Sequence, residues 1–261
     1  MSVRIGAVGY LNARPLTWAL DRDPGRWAIR YDLPAVCASL LQARTVDLGL
    51  TPSIEYLHDP DYRFVPGISI GSRGAVTSVA IFSKKPMADV KTIALDTSSR
   101  SSVAQTRVLC HDWFRIEPEF VPHGPNLAQM TATCDAALLI GDPAFEADAA
   151  ALGLRKYDLG EEWLAMTGLP FVHAAWMGRQ GAVTADDVQA LQAARDEGLA
   201  NIPAIAEEYG PDDPARAARA ARYLRDNVRY GLGPEEVAGL QLFLDRAAAL
   251  GLGPRRAVAF F

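Results

Sequence analysis

Residues 90–109, VKTIALDTSSRSSVAQTRVL, decide how this chain is read. An apolar run of strand character, VKTIAL, stops at Asp96. The next stretch, DTSSRSS (96–102), holds four serines and a threonine. An amphipathic helical pattern, SVAQTRVLCHDWF (102–114), follows at once. A strand, a hydroxyl-rich junction and a helix start together gather unpaired backbone N–H groups, side-chain donors and the positive end of a helix dipole. Helix capping accounts for one or two of the hydroxyls but not for five. The stretch reads as an anion site. It is not a phosphate loop, because GxxxxGK[ST] is absent.

Outward from this junction the same alternation recurs. VRIGAVGY (3–10), WAIRYDLP (27–34) and VDLGLTP (46–52) read as strands, and NARPLTWAL (12–20), AVCASLLQART (35–45) and SIEYLHD as helices or helix starts. That order predicts an α/β unit with a largely parallel sheet. FVPGISIGSRGAVTSVAIFSKKP (64–86) reads instead as two β runs around a glycine turn, and DAALLIGDPAF (135–145) as a buried strand ending in a Gly-Asp turn. From Thr184 the chain turns helical. Each segment there opens on Thr, Asp or Pro with acidic residues and closes at Gly, as expected of a packed helical face. Passages near 83–88 and 174–180 are the expected crossings between lobes. They divide the chain into residues 1–85 plus 176–261 and residues 86–175, with a ligand between the two.

Bulk properties narrow the function. The chain has 261 residues, 49% hydrophobic and 22% charged, with net charge −5 and pI about 5.4. No basic block stands out, which argues against nucleic acid and anionic membrane as partners. No apolar stretch reaches the roughly 18 residues of a membrane span. No secretory pattern opens the sequence, so a cytoplasmic location is expected. The three cysteines are far apart and expected as free thiols, and the four histidines lack metal-ligand spacing, so no metal is expected.

Other residues join the junction as site candidates. Gly9 allows close backbone approach, and Asn12 offers a donor and an acceptor, or caps the helix that follows. Ser53 caps a helix or helps bind a carboxylate. Thr77 and Ser78 face the cleft if their strand crosses between lobes. Gly141 and Asp142 stand at a strand's carboxyl end, where α/β folds put ligands, although Asp142 serves equally as a cap. Phe171, His173 and Trp176 lie near the second crossing, with packing the default reading for all three. Glu55 in a first helical turn reads as structural. No Ser/His/Asp series, nucleophile elbow or paired-carboxylate signature occurs. From chemistry alone the chain is a two-lobed α/β protein with a cleft suited to a small carboxylate.

Taken in order, VGYLNARPL, DLGLTPSIEY, GAVTSVAIFSKKP, IALDTSSRSSVAQTRVL, AALLIGDPA and YDLGEEWLAMTGLPFVHAAW resemble the menaquinone-biosynthesis family of the futalosine route, most closely its chorismate dehydratase (MqnA) type. The resemblance covers roughly residues 3–180. It implies a two-lobed type 2 periplasmic-binding-protein fold with mixed sheets and a helical C-terminal segment. It also implies dehydration of chorismate to 3-[(1-carboxyvinyl)oxy]benzoate, with no cofactor. On that basis Asn12 and Ser78 are the expected catalytic residues. Gly9, Ser53, Thr77, Thr97, Ser98, Ser101, Ser102, Gly141, Asp142 and Phe171 are the expected substrate-binding set. A homodimer is left open. The alternatives are the sister 1,4-dihydroxy-6-naphthoate synthase of the same route and a non-enzymatic carboxylate receptor.

Overall fold

A computed structural model describes residues 2–261. Among the described residues, eleven strands form two sheets. The first contains β1 (Val3–Val8), β2 (Trp27–Asp32), β3 (Leu48–Pro52), β4 (Tyr62–Phe64), β5 (Ile70–Ser72) and β11 (Phe171–Arg179). Its order is β2-β1-β3-β11-β4, with β5 also paired to β11. The second contains β6 (Val79–Ser83), β7 (Thr92–Asp96), β8 (Glu119–His123), β9 (Ala136–Ile140) and β10 (Arg155–Asp158), in the order β10-β6-β9-β7-β8. Both sheets are mixed. β1 is parallel to β2 and β3, and β7 to β8 and β9, whereas β11 and β6 run against their neighbours.

The helices are α1 (Arg14–Thr17), α2 (Pro34–Gln42), α3 (Arg100–Leu109), α4 (Leu127–Thr133), α5 (Gly141–Glu146) and α6 (Leu159–Thr167), then α7 (Ala185–Ala200), α8 (Ile202–Tyr209), α9 (Pro214–Arg222) and α10 (Pro234–Ala249). SIEYLH, expected to open an α-helix, is a 3-10 segment, Ser53–His58. The long helical pattern from Thr184 breaks at Asn201. Pro203, in the first turn of α8, lacks the N–H that a continuous helix would need there. Thr184 closes a capping box with Asp187 at the start of α7. No helix among the described residues is long and apolar enough to cross a membrane.

β3 and β9 are buried along their whole length, as strands covered on both faces must be. Around the first sheet Ile5, Leu48, Leu50 and Trp176 pack with Leu191 and Ile205 from α7 and α8. Around the second, Ile81, Ile93 and Leu138 pack with Leu109 of α3. Each such side chain contributes roughly 1.5–3 kcal/mol on burial.

The lobe division expected at 85/86 and 175/176 does not follow these pairings. β6 belongs to the second sheet, and β11 from Phe171 onward to the first. We therefore place the crossings earlier, at 73–78 and 168–170. A glycine in the left-handed region lies in each, Gly74 at φ +96° and Gly168 at φ +72°. Asp158 fixes the first crossing to the start of α6. Its carboxylate accepts Val76 N–H at 3.0 Å, Thr77 N–H at 2.6 Å and Gly160 N–H at 2.9 Å. These bonds hold Thr77 in the left-handed region, at φ +59°.

Candidate active site

The DTSSRSS junction sits where the two lobes meet. The Asp96 carboxylate ends β7 and is fully buried; it accepts Ser98 N–H at 2.9 Å and Ile140 N–H at 3.3 Å. Burial raises its pKa above the ordinary carboxylate value, with those N–H groups opposing. The loop then enters α3 with Ser99 as N-cap, its Oγ accepting Ser102 N–H at 3.5 Å and lying 3.1 Å from Ser102 Oγ. Residues three apart share a helix face, so Ser99 and Ser102 both line a cavity between the lobes.

That geometry sends the other hydroxyls elsewhere. Ser101 Oγ accepts Ile54 N–H at 3.0 Å and lies 3.1 Å from Ser53 Oγ, while Ser53 donates to the Val172 carbonyl at 2.7 Å. Both serines knit the lobes together off the cavity wall. Thr97 is exposed and donates to the His123 carbonyl. Ser98 is buried beside the wall, and its carbonyl accepts Ala35 N–H from the first lobe at 2.9 Å. Arg100 turns outward to Glu55, a carboxylate only 1% exposed, with Nη1 at 3.1 and 3.0 Å from its two oxygens.

The first lobe supplies Tyr10, Asn12, Pro34, Pro52, Ile70 and His173 to the wall, and the second adds Val79, Ser99, Ser102, Ile140 and Gly141. Asn12 sits with its side-chain amide by the Tyr223 hydroxyl, and Tyr223 donates to Ser78 Oγ at 2.7 Å. Burial drives the Tyr223 phenol well above its ordinary pKa, so it stays a donor. Gly141 has φ +67° and donates its N–H to the Ser78 carbonyl at 2.8 Å. Asp142 accepts Leu11 N–H at 3.0 Å across the cleft. Gly9 is exposed and a Cβ there would meet nothing within 4 Å, so no close approach requires glycine at this position. Thr77 acts in the crossing, not on the wall. Phe171 is wholly buried and packs edge-on against Trp163 and Phe243, which makes it a core residue beneath His173.

The cavity is about 40 Å³. That admits roughly three waters, against about 300 Å³ for small-molecule sites. Elsewhere between the lobes, Glu146 of α5 meets Arg216, Arg219 and Tyr209 of the first lobe. Among the described residues the cavity wall carries no Lys, Arg, Asp or Glu; its titratable groups are Tyr10 and His173. Burial pushes the His173 imidazole down to about 3, so it is neutral. Such a wall suits an anion held by hydroxyls, amide groups and a helix N-terminus.

Comparison with known proteins places the chain. Residues 3–249 match the family described as menaquinone biosynthesis. The chain belongs to the menaquinone biosynthesis family. Within reach of that family, it is 32% identical over 265 residues to the chorismate dehydratase of Thermus thermophilus, covering 95% of each chain. The fold is that of periplasmic binding proteins. A protein from Archaeoglobus fulgidus superposes with TM-score 0.74 at 19% identity, covering 96% of this chain and 98% of its own. The periplasmic aliphatic sulphonate binding protein of Escherichia coli does so with TM-score 0.65 at 19% identity, covering 98% and 89%.

Sequence reasoning passed over Ser99 and Tyr10 on the wall, and Tyr223 and Tyr230 behind it. Ser99 was hidden among its neighbours, although its spacing from Ser102 marks a shared face. Tyr10 follows the first strand without a polar pattern to single it out. Tyr223 and Tyr230 come from the helical C-terminal segment, and no local signal ties them to Asn12, whose carbonyl accepts the Tyr230 hydroxyl at 3.0 Å.

Proposed function

We propose that the chain is a chorismate dehydratase, a carbon–oxygen lyase that converts chorismate to 3-[(1-carboxyvinyl)oxy]benzoate and water in the cytoplasm. The observation that carries this reading is the cavity itself: donors at a helix start and an asparagine, with no protein carboxylate on the wall. The nearby Asp96, Asp142 and Asp158 accept backbone N–H groups instead. Similarity to the Thermus enzyme over nearly the whole chain supports the same substrate.

The chemistry fits such a wall. The ring hydrogen on the ether-bearing carbon is vinylogous to the ring carboxylate. Its removal sends the electron pair towards that carboxylate. The pair then expels the neighbouring hydroxyl, the ring becomes aromatic, and hydroxide plus the proton leave as water. No redox change occurs. The substrate's enolpyruvyl carboxylate takes the proton, an intramolecular transfer favoured by fixed geometry. The first-turn N–H groups of α3, with Ser99 and Ser102, hold the ring carboxylate as negative charge grows there. Asn12 hydrogen-bonds the departing hydroxyl, and Ser78 positions Asn12 through Tyr223.

Incubation of the pure protein with chorismate, followed by ultraviolet absorption and mass spectrometry, tests the reading. We expect chorismate to disappear as the aromatic product accumulates. Chorismate left intact while a cyclised futalosine is consumed would assign the sister synthase. Chorismate bound but never converted would assign a receptor.

A further inference from the structure

His173 lies on β11, is 8% exposed and lines the cavity. Its Nε2 stands 3.2 Å from Ser72 Oγ. Its Nδ1 is buried and has no hydrogen-bond partner among the described residues. Ser72 is also buried, and its Oγ makes no other side-chain hydrogen bond among the described residues. A buried hydroxyl with one partner directs its proton there. Ser72 therefore donates to Nε2, and the ring proton is on Nδ1. The alternative tautomer strands both the serine proton and the Nδ1 lone pair. One unpaired N–H donor thus remains on a residue of the cavity wall, a wall that among the described residues holds no cation.

We propose that His173 Nδ1–H donates a hydrogen bond to the enolpyruvyl carboxylate of the substrate and so orients the group that takes the ring proton. This inference rests on the dehydratase reading and adds a substrate-binding residue to it. The neutrality of the ring matters. A cation beside that carboxylate would lower its basicity, whereas a neutral N–H fixes one oxygen and leaves the other to accept the proton. Burial keeps the ring uncharged across the working pH range. Phe171, edge-on at 4.8 Å, and Ser72 hold the ring plane.

Three measurements test it. In ¹⁵N-labelled wild-type protein, two-bond nitrogen–proton spectra should show His173 as the Nδ1–H tautomer. His173→Leu should bind 3-[(1-carboxyvinyl)oxy]benzoate about tenfold or more weakly, the size expected for a lost hydrogen bond to a charged group. It should bind benzoate, which lacks the enolpyruvyl group, within about twofold of wild type. His173→Asn, whose amide N–H falls near the Nδ1 position, should recover much of the lost affinity and of kcat, with KM little changed. An Nε2–H tautomer, equal loss for both ligands, or an Asn variant no better than Leu overturns the role of His173. Wild-type turnover of chorismate in the same preparation keeps the dehydratase reading separate: turnover with any of these negatives removes His173 alone. Loss of turnover in the wild type removes the reading itself.

Discussion

Tyr10 of the first lobe lies so close over Gly141 of the second that a Cβ built on the glycine would stand 2.7 Å from the Tyr10 ring. Gly141 also has φ +67°, a conformation costly for any residue with a side chain. The glycine therefore sets how closely the lobes shut over the cavity. Gly141→Ala is expected to lose about 1–2 kcal/mol of stability from the backbone strain. It should also lower kcat/KM for chorismate by at least about tenfold, because the lobes cannot close. Thermal unfolding and steady-state kinetics read the two effects separately.

The serines of the junction should separate by face. Ser102→Ala removes a hydroxyl on the cavity wall, and KM for chorismate should rise by about three- to tenfold. Thr97→Ala, on the outside, should leave kinetics within about twofold. Ser101→Ala leaves Ile54 N–H without its acceptor and should appear as about 1–2 kcal/mol of lost stability. Equal kinetic effects at positions 97 and 102 would contradict the assignment.

Arg100 and Glu55 join the lobes outside the cavity. Among the described residues, Arg100→Ala leaves a buried carboxylate with only His58 and Gln42 as side-chain partners. Because the guanidinium is partly in solvent, the expected loss is about 1–2 kcal/mol, below the range for fully buried pairs. Urea unfolding of the variant measures it.

His58 should add a pH dependence of known sign. Its hydrogen bond to Glu55 raises the imidazole pKa above its ordinary value, with burial opposing. A raised folded-state pKa means stability that is fully present below the unfolded value, near 6.5, and is lost as pH rises through the folded value. Wild type should therefore exceed His58→Asn in stability by more at pH 5.5 than at pH 8.5. A difference that is flat or grows with pH would count against this linkage. The side chain is 40% exposed, so the effect is small.

Phe171 was expected to touch substrate and instead fills the core with Trp163 and Phe243. Phe171→Leu should cost about 1–2 kcal/mol, well short of the 3–5 kcal/mol of a Phe→Ala truncation. Product affinity should fall only through loosening of the His173 ring, by less than His173→Leu causes, as isothermal titration would show.

Local features of this chain were readable because local physics decides them. VKTIALD and the helix after it follow from apolar periodicity, and the hydroxyl-rich junction follows from where a strand meets a helix start. The helix face was not readable in the same way. Ser99 and Ser101 look alike in sequence, yet one caps α3 at the cavity and the other bonds Ile54 in the lobe interface. That choice depends on the phase of α3 against the 3-10 segment Ser53–His58, a long-range contact. His173 looked like one more residue in the apolar run TGLPFVHAAW. Its ring meets the cavity because β11 pairs with β3 and β5, which brings His173 beside Pro52 and Ile70 at the cleft. The crossings lie earlier than expected because strand pairing, which the hydrophobic pattern does not reveal, assigns β6 to the second sheet and β11 to the first.

The account stands most directly on where the product binds. A crystal structure with 3-[(1-carboxyvinyl)oxy]benzoate should show its ring carboxylate at the first turn of α3 against Ser99 and Ser102, with Asn12 beside the ring. Product lodged in another pocket, or held between the lobes by Lys and Arg side chains with α3 uninvolved, would contradict it.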